Sequence, residues 1–334
     1  MTLGNEIRSK FIGKRIAVVG DIVADQFLSG TISRVSREAP VFILRHDETE
    51  TRPGGAANAA ANIASLGGEP RLVGLIGRDS NGDSLLKAFT ETNVVDRFVI
   101  RSDFVSTTAK VRVLGGQSHS AKKQVIRIDY ENKNALSPDD QNSLIKNLVE
   151  ASHDADAIVF SDYNYGVCNS TVFEAAKKIS AKQKIPVIVD SRFRLEEFRG
   201  ASSATPNQEE TEKMLGRLFL AGDAESLRER LGFDSLLVTL GGQGMVLARS
   251  GEPIVSIPAV GSDQPVDVTG AGDTVIAAFS LGSASGLSPS DAARVANHAG
   301  GIVVMKRGTS VATLDELAES LDQFRNNAVS ASSE

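Results

Sequence analysis

The sequence predicts an α/β fold: a central, mostly parallel sheet flanked by helices, with a small β-sheet lid. Three observations predict it. Short all-apolar runs at 16–19, 157–160 and 187–189 have the composition of strands buried on both faces. Helical stretches alternate with these runs, which calls for right-handed crossovers between parallel strands. Two segments, 27–44 and 106–130, instead alternate apolar and polar residues, as hairpins outside the main sheet do.

Bulk properties narrow the function. The 334 residues are read as a single domain over 1–334, and 41% hydrophobic content supports a sizeable core. A net charge of −6 argues against a general nucleic-acid or membrane-binding surface. An acidic protein that binds phosphates must do so with local cradles. The single cysteine, Cys168, excludes an internal disulfide and suits a reducing compartment. Residues 1–14 carry no export pattern, and no stretch approaches a membrane span, so the expected location is the cytoplasm.

In order, residues 15–19 form the first strand and end in a Gly20-Asp21 turn. Asp21 and Asp25 lie just past that end, where α/β proteins bind ligands. Turn chemistry alone would also account for Asp21. Residues 27–44, broken by Pro40, and 106–130 supply the lid, expected over about 26–50 and 104–130. The polar stretch 115–123 between its last strands reads as a mobile loop. Arg52-Pro53-Gly54-Gly55-Ala56-Ala57-Asn58 leads into an Ala-rich helix stopped by Gly67-Gly68. A strand at 71–77, a helix at 84–92, a helix at 141–151 and the strand 157–160 follow, then Ser161-Asp162-Tyr163. Residues 171–183 are helical, and 187–190 form a strand ending in Asp190. Asn207-Gln208-Glu209-Glu210 reads as a capping box. A strand near 234–240 runs into Gly241-Gly242-Gln243-Gly244. Residues 291–305 form an apolar helix holding Asn297 and His298, the latter read as packed or exposed and not catalytic. Residues 328–334 read as a disordered polar tail.

The chemistry concentrates in Asp267-Val268-Thr269-Gly270-Ala271-Gly272-Asp273-Thr274, which opens a small-residue helix. Glycines at the mouth of a helix leave N–H groups bare, and these with the helix dipole make an anion site. Asp273 at its end is either a helix cap or a base that takes a proton from a hydroxyl attacking the anion.

This octet resembles the Asp-x-Thr-Gly-Ala-Gly-Asp signature of the ribokinase-like (PfkB) carbohydrate kinases, with every fixed position present. The resemblance implies a ribokinase-like fold, with Asp273 as catalytic base and the amides of Gly270, Ala271 and Gly272 as an anion hole. Gly-Gly-Ala-Ala-Asn at 54–58 is similar to the family's N-terminal signature, which implies that Gly54, Gly55 and Asn58 contact a sugar. An Asp at position 25 would hold sugar hydroxyls, and Asp21 joins it as a candidate. The family's Asn-x-x-Glu implies that Asn207 lies by the nucleotide and that Glu210 helps position the Mg2+ accompanying ATP, partly through water. Thr239, Gly241 and Gly244 match its Thr-x-Gly-x-x-Gly stretch beside ATP, and Asn297 falls where an adenine contact stands. The resemblance also implies a K+ site on carbonyls of Asp267, Thr269 and Gly308, and a homodimer through the lid.

Some stretches are closer to one branch, the heptose 7-phosphate kinases: Gly20-Asp21 with Asp25, residues 33–41, 52–58, Ile126-Arg127-Ile128-Asp129, Ser161-Asp162-Tyr163 and 266–274. Asp162 and Arg127 thereby join the substrate-binding candidates. That branch often carries a following nucleotidyltransferase domain, which is not expected in a sequence ending at Glu334. Asn164-Tyr165 stand where the branch has a Lys, and Asp190-Ser191-Arg192 where it has Asp-Pro-Lys; Arg127, Arg192 and Arg194 are the candidate replacements for a phosphate partner. The expected activity is transfer of the γ-phosphoryl group of ATP to the anomeric hydroxyl of heptose 7-phosphate. The alternatives are another sugar, sugar phosphate or nucleoside as acceptor, or a catalytically silent sugar- or nucleotide-binding protein. A dinucleotide-binding Rossmann protein is excluded, because no Gly-x-Gly-x-x-Gly follows the first strand.

Overall fold

The apolar runs become buried strands. A computed structural model describes residues 2–117, 121–132, 134–261 and 264–331. Its elements, in chain order, are α1 (Leu3–Lys10), β1 (Arg15–Gly20), β2 (Ile22–Val35), β3 (Phe42–Gly55), α2 (Ala56–Ser65), β4 (Glu69–Gly77), α3 (Ser80–Glu91), β5 (Val99–Ser102), β6 (Thr108–Gly116) and β7 (Lys123–Tyr130). There follow α4 (Pro138–Ala151), β8 (Ala157–Asp162), α5 (Ser170–Gln183), β9 (Val187–Ser191), β10 (Ser203–Ala204), α6 (Gln208–Leu215), α7 (Asp223–Leu231) and β11 (Ser235–Thr239). Last come β12 (Met245–Arg249), β13 (Val255–Ile257), α8 (Ala271–Ala284), α9 (Pro289–Val303) and α10 (Leu314–Ala331).

The main sheet runs β13-β12-β11-β10-β9-β8-β1-β4-β5. Only the hairpin pairs β11–β12 and β12–β13 are antiparallel. Strand β1 sits between β8 and β4, with Val19 beside both Phe160 and Val73. One apolar layer, built by α1, α2, α8, α9 and α10, covers one face, and a second from α4, α5 and α7 covers the other. Small residues let α2 and α8 lie close: Ala56 to Ala61 and Ile276 to Ala278 are all buried. On the second face Phe173 meets Phe160 and Phe198 edge-on, with centroids 5.6 and 5.1 Å apart.

The second sheet, β3-β2-β6-β7, lies outside the main one. Strands β2 and β3 are longer than the expected hairpin and pair from Ile22–Gly55 at one end to Val35–Phe42 at the other. Gly54 and Gly55 therefore finish a strand and hand it directly to α2. Of the polar stretch expected to be a mobile loop, residues 118–120 lie outside the described residues.

Caps follow the sequence locally. Asp79, Ser137, Asn169 and Ser288 each accept a hydrogen bond from an amide in the first turn of α3, α4, α5 and α9. Helix α10 runs on to Ala331, through four residues of the tail expected to be disordered; residues 332–334 lie outside the described ones. His298 is buried, its Nδ1 2.8 Å from Ser320 Oγ, and burial pushes its pKa down to about 4. It is a packed residue of the α9–α10 contact. Among the described residues no helix is long and apolar enough to cross a membrane.

Candidate active site

The carboxyl ends of β1, β8 and β9 open toward the start of α8, and the site is built from what those ends carry. Gly270 caps α8 at φ 80°, and a Cβ there would lie 2.5 Å from Asn58 Nδ2. Only glycine allows α8 to begin against α2. The amide of Ala271 reaches Val268 O at 3.3 Å, while those of Gly272 and Asp273 donate to no protein acceptor among the described residues. Of the proposed hole, the amide at 272 is free, 271 is partly engaged, and 273 adds a donor.

Asp273 is buried in the first turn of α8. Its Oδ2 accepts from Asn58 Nδ2 at 2.8 Å and its Oδ1 from Tyr163 Oη at 2.9 Å. Burial pushes its pKa up to about 7, against the downward pull of those two donors. A buried polar chain holds the donors. Asn62 Nδ2 donates to Asn58 Oδ1 and backbone O, and Thr274 Oγ1 donates to Asn62 Oδ1 at 3.0 Å. Asn58 is thus committed to the carboxylate of Asp273 as much as to any ligand.

Asp25 stands opposite, on β2. Arg112 Nη1 donates to its Oδ1 at 2.6 Å and Thr309 Oγ1 to its Oδ2 at 3.1 Å. A Cβ on Gly54 would fall 2.5 Å from Asp25 Oδ2, so glycine is required beside this carboxylate. An ionised carboxylate has about four lone-pair sites, which leaves capacity for a diol.

Two further candidates, Asp21 and Asp162, spend bonds within the protein. Asp21 is buried and its oxygens accept from the backbone amides of Tyr163, Tyr165 and Val167 at 2.8, 3.0 and 3.1 Å. Burial raises its pKa to about 6 against those three donors. It holds the loop that presents Tyr163. The side chain of Asp162 is 0% exposed; it accepts from Arg194 Nη2 and Ser191 Oγ, both at 2.6 Å. Arg194 is consequently spent as a phosphate partner. Arg127 pairs with Asp129 at 2.8 Å on β7 and touches none of these groups.

The nucleotide-side candidates lie farther along the sheet ends. Asn207 and Glu210 form a complete capping box on α6. Thr239 ends β11 and bridges to Asn207. Gly244, at φ 90°, closes the β11–β12 turn, and Gly241 has open space around it. Asn297 is buried and its amide donates to Pro258 O at 2.8 Å, so it ties α9 to the segment after β13. Asp267 accepts from the amides of Thr269 and Gly308 at 2.9 and 3.0 Å, which knots 267–269 to the 306–310 loop. Arg52 clamps the same loop by donating to the carbonyls of Arg307 and Thr309.

Sequence reasoning missed several members: Tyr163, Asn62, Thr274, Thr309, Arg112 and Asp190. Asp190 Oδ2 would lie 3.8 Å from a Cβ at Gly272. Burial, then the carboxylates of Glu210 and Asp273, push Asp190 well above the usual range; burial raises Glu210 too, against the Asn207 amide and Arg192. A cleft of about 300 Å3 lined by Arg192, Arg194, Glu210 and Lys213 opens beside the pair. Two half-buried carboxylates that feel each other's charge are a donor set for a hard divalent cation. Among the described residues no three His, Cys, Asp or Glu converge as a metal cage. Few protein ligands with room for water and phosphate oxygen is the pattern that Mg2+ favours.

The pfkB family carbohydrate kinase model matches residues 14–316. The chain is 38% identical over 312 residues to the bifunctional protein HldE of Aeromonas salmonicida, covering 92% of this chain and 63% of that one. It is 38% identical over 321 residues to HldE of Shewanella amazonensis, covering 94% and 65%. The chain thus spans less than two thirds of the length of these relatives. Among solved structures it superimposes on Arabidopsis thaliana ribokinase complexed with ribose and ATP, with TM-score 0.70, 23% identity and coverage of 93% and 99%. Phosphofructokinase-2 from Escherichia coli in complex with substrates and products gives TM-score 0.76 at 20% identity, covering 93% and 99%.

Removing one partner of a buried ion pair strands the other. Arg194→Met should therefore cost about 3 kcal/mol in urea unfolding. Asp162→Asn should cost clearly less, because Arg194 reaches solvent. Equal, small losses would show that the pair does not hold the β8 and β9 ends.

Proposed function

The chain belongs to the pfkB family of carbohydrate kinases, and on that premise we propose that it transfers the γ-phosphoryl group of ATP to a sugar hydroxyl. The acceptor we assign is the anomeric hydroxyl of a heptose 7-phosphate. The observation that carries the kinase reading is the placement of Asp273: a buried carboxyl with pKa near 7, beside free amides of α8, bonded to Asn58 of the helix that follows Gly54-Gly55. The similarity to the HldE proteins supports the heptose assignment.

In the mechanism Asp25, with the backbone at Gly54 and Gly55, holds sugar hydroxyls under the lid sheet. The hydroxyl to be phosphorylated lies against Asp273, which is ionised often enough at neutral pH to accept its proton. Charge that develops on the transferred group meets the amides of Gly272 and Asp273 and the positive end of α8. Glu210 and Asp190 would hold Mg2+, which when bound neutralises phosphate charge. Thr239 and Gly241 lie on the nucleotide side, and the carbonyls of Asp267, Thr269 and Gly308 are the set we assign to K+. Closing the lid sheet excludes water, which competes with the sugar for the phosphoryl group.

Asp273→Asn should reduce kcat by roughly 10²–10⁴-fold in a coupled ATP-consumption assay with heptose 7-phosphate while leaving ATP binding in place. Wild-type turnover in that variant, or no sugar-dependent ATP consumption by the native protein, would refute the assignment.

The sign of the pH dependence is fixed by burial. The base works ionised, so kcat/KM should rise with pH through an acid limb near 7. Tyr163→Phe removes a donor that favours the ionised form, so its limb should move to higher pH. A limb that moves down or stays in place would contradict the Tyr163–Asp273 bond.

The lid also supports self-association. Phe42, Ile126, Ile128 and Tyr130 are large apolar groups left exposed on its edge strands β3 and β7. We assign them to a homodimer contact. Sedimentation should give a dimer that Ile128→Lys shifts toward monomer, and a native monomer at micromolar concentration would exclude it.

A further inference from the structure

The loop at 306–310 is held by a cation that belongs to the chain. Arg52 Nη1 donates to the carbonyls of Arg307 and Thr309, at 3.2 and 3.1 Å. Gly308 lies between them at φ 65°, and a Cβ there would fall 3.0 Å from that nitrogen. Carbonyls of alternate residues converging on one positive nitrogen form a cation cradle, and the guanidinium fills it. Glu50 sets the other side of the fork: its Oε1 and Oε2 accept from Nε and Nη2 at 2.6 and 3.1 Å. The Phe27 ring centroid lies 5.4 Å from Arg52 Cζ. A guanidinium stays charged at any working pH and carries its donors in a rigid plane. It therefore fixes where the loop sits, and does not merely attract it.

Each residue of the cradle reaches a different half of the candidate site. Thr309 gives its carbonyl to Arg52 and its hydroxyl to Asp25 Oδ2, the latter at 3.1 Å. Gly308 gives its amide to Asp267 Oδ2 at 3.0 Å, and Oδ1 of the same carboxylate accepts from the Thr269 amide at 2.9 Å. Thr269 precedes Gly270, the cap of α8. Arg52 itself stands on β3, two residues before Gly54. The Arg307 carbonyl has a second donor in Ser310 Oγ, at 2.8 Å, so the contact that bears on the sugar side is the one to Thr309.

We propose that Arg52 is a positioning residue for the transfer: its guanidinium holds the 307–309 cradle, and through that cradle Asp25 and the segment leading into the amides of α8 keep their spacing. This role rests on the sugar-kinase reading and adds to it a residue that acts through the loop and not on the sugar. The carbonyls of Arg307 and Thr309 are thereby closed to K+, which is left with the set assigned above.

The test compares native protein, Arg52→Ala and Arg52→Lys in the ATP-consumption assay with heptose 7-phosphate, at one K+ concentration. Arg52→Ala should raise the sugar KM and lower kcat by about tenfold each, the range of lost hydrogen bonds to a charged group, while the ATP KM stays close to native. Arg52→Lys should fall between, and it carries the comparison should Arg52→Ala not fold. Methylguanidinium should restore part of the loss in Arg52→Ala and leave the native protein unchanged; a cleft of about 400 Å3 lined by Arg52, Asn58, Lys306 and Thr309 gives it a way in. Hydrogen exchange supplies a readout without turnover. The Gly308 amide should exchange faster in Arg52→Ala, and the Tyr163 and Tyr165 amides, held by Asp21, should not. A fall in kcat with native KM for both substrates and no response to methylguanidinium would report only fewer folded molecules, and would overturn the proposal. Native kcat and KM in Arg52→Ala, or an unchanged Gly308 amide, would overturn it as well. A native protein without sugar-dependent turnover refutes the kinase reading, and the Gly308 amide then still decides whether Arg52 holds the loop.

Discussion

Two hydrogen bonds to one buried carboxylate organise this molecule. Asp273 sits where a charge is costly, and Asn58 and Tyr163 are what make the charge bearable. Burial without them would hold the group protonated and useless as a base; the same donors on an exposed Asp would leave it too weak a base near neutrality. The balance near pH 7 needs both. Each donor then imposes its own structure. Asn58 must be oriented, which the Asn62–Thr274 chain does across the α2–α8 contact. Tyr163 must reach in from the end of β8, and Asp21 grips three amides of its loop to keep it there.

One loop ties the second sheet to that centre, besides the direct passage of β3 into α2. Thr309 bonds Asp25, Arg52 clamps the carbonyls on either side of Gly308, and Asp267 takes the Gly308 amide from the other direction. The strand that carries Asp25 and the segment that leads into α8 therefore share one set of backbone groups.

Much of this was legible in the residues. Strands buried on both faces, the glycine runs at 54–55 and 270–272, and the capping box at 207–210 each have a local signature, and the fold and the position of Asp273 follow from them. What was not legible has a common cause. Asp21, Asp25 and Asp162 all stand at or just beyond strand ends, and nothing in the chain distinguishes a carboxylate that faces a cleft from one that binds its own loop or an arginine. Lys110 and Arg112 sit in an alternating strand, where polar residues ordinarily face solvent. Here Tyr163 packs against Lys110 while Asp25 and Phe27 engage Arg112, and only tertiary structure reveals it. Helices α1 and α7 were missed because they are short and end in charged residues, with weak apolar stripes that tertiary packing completes.

The most direct test of the central claim is an infrared titration of Asp273 itself, as the difference between native protein and Asp273→Asn. The account predicts a carboxylic acid band, absent from the variant, that gives way to carboxylate with a midpoint near pH 7. A carboxyl already ionised at about pH 5, close to an ordinary aspartate, would contradict it.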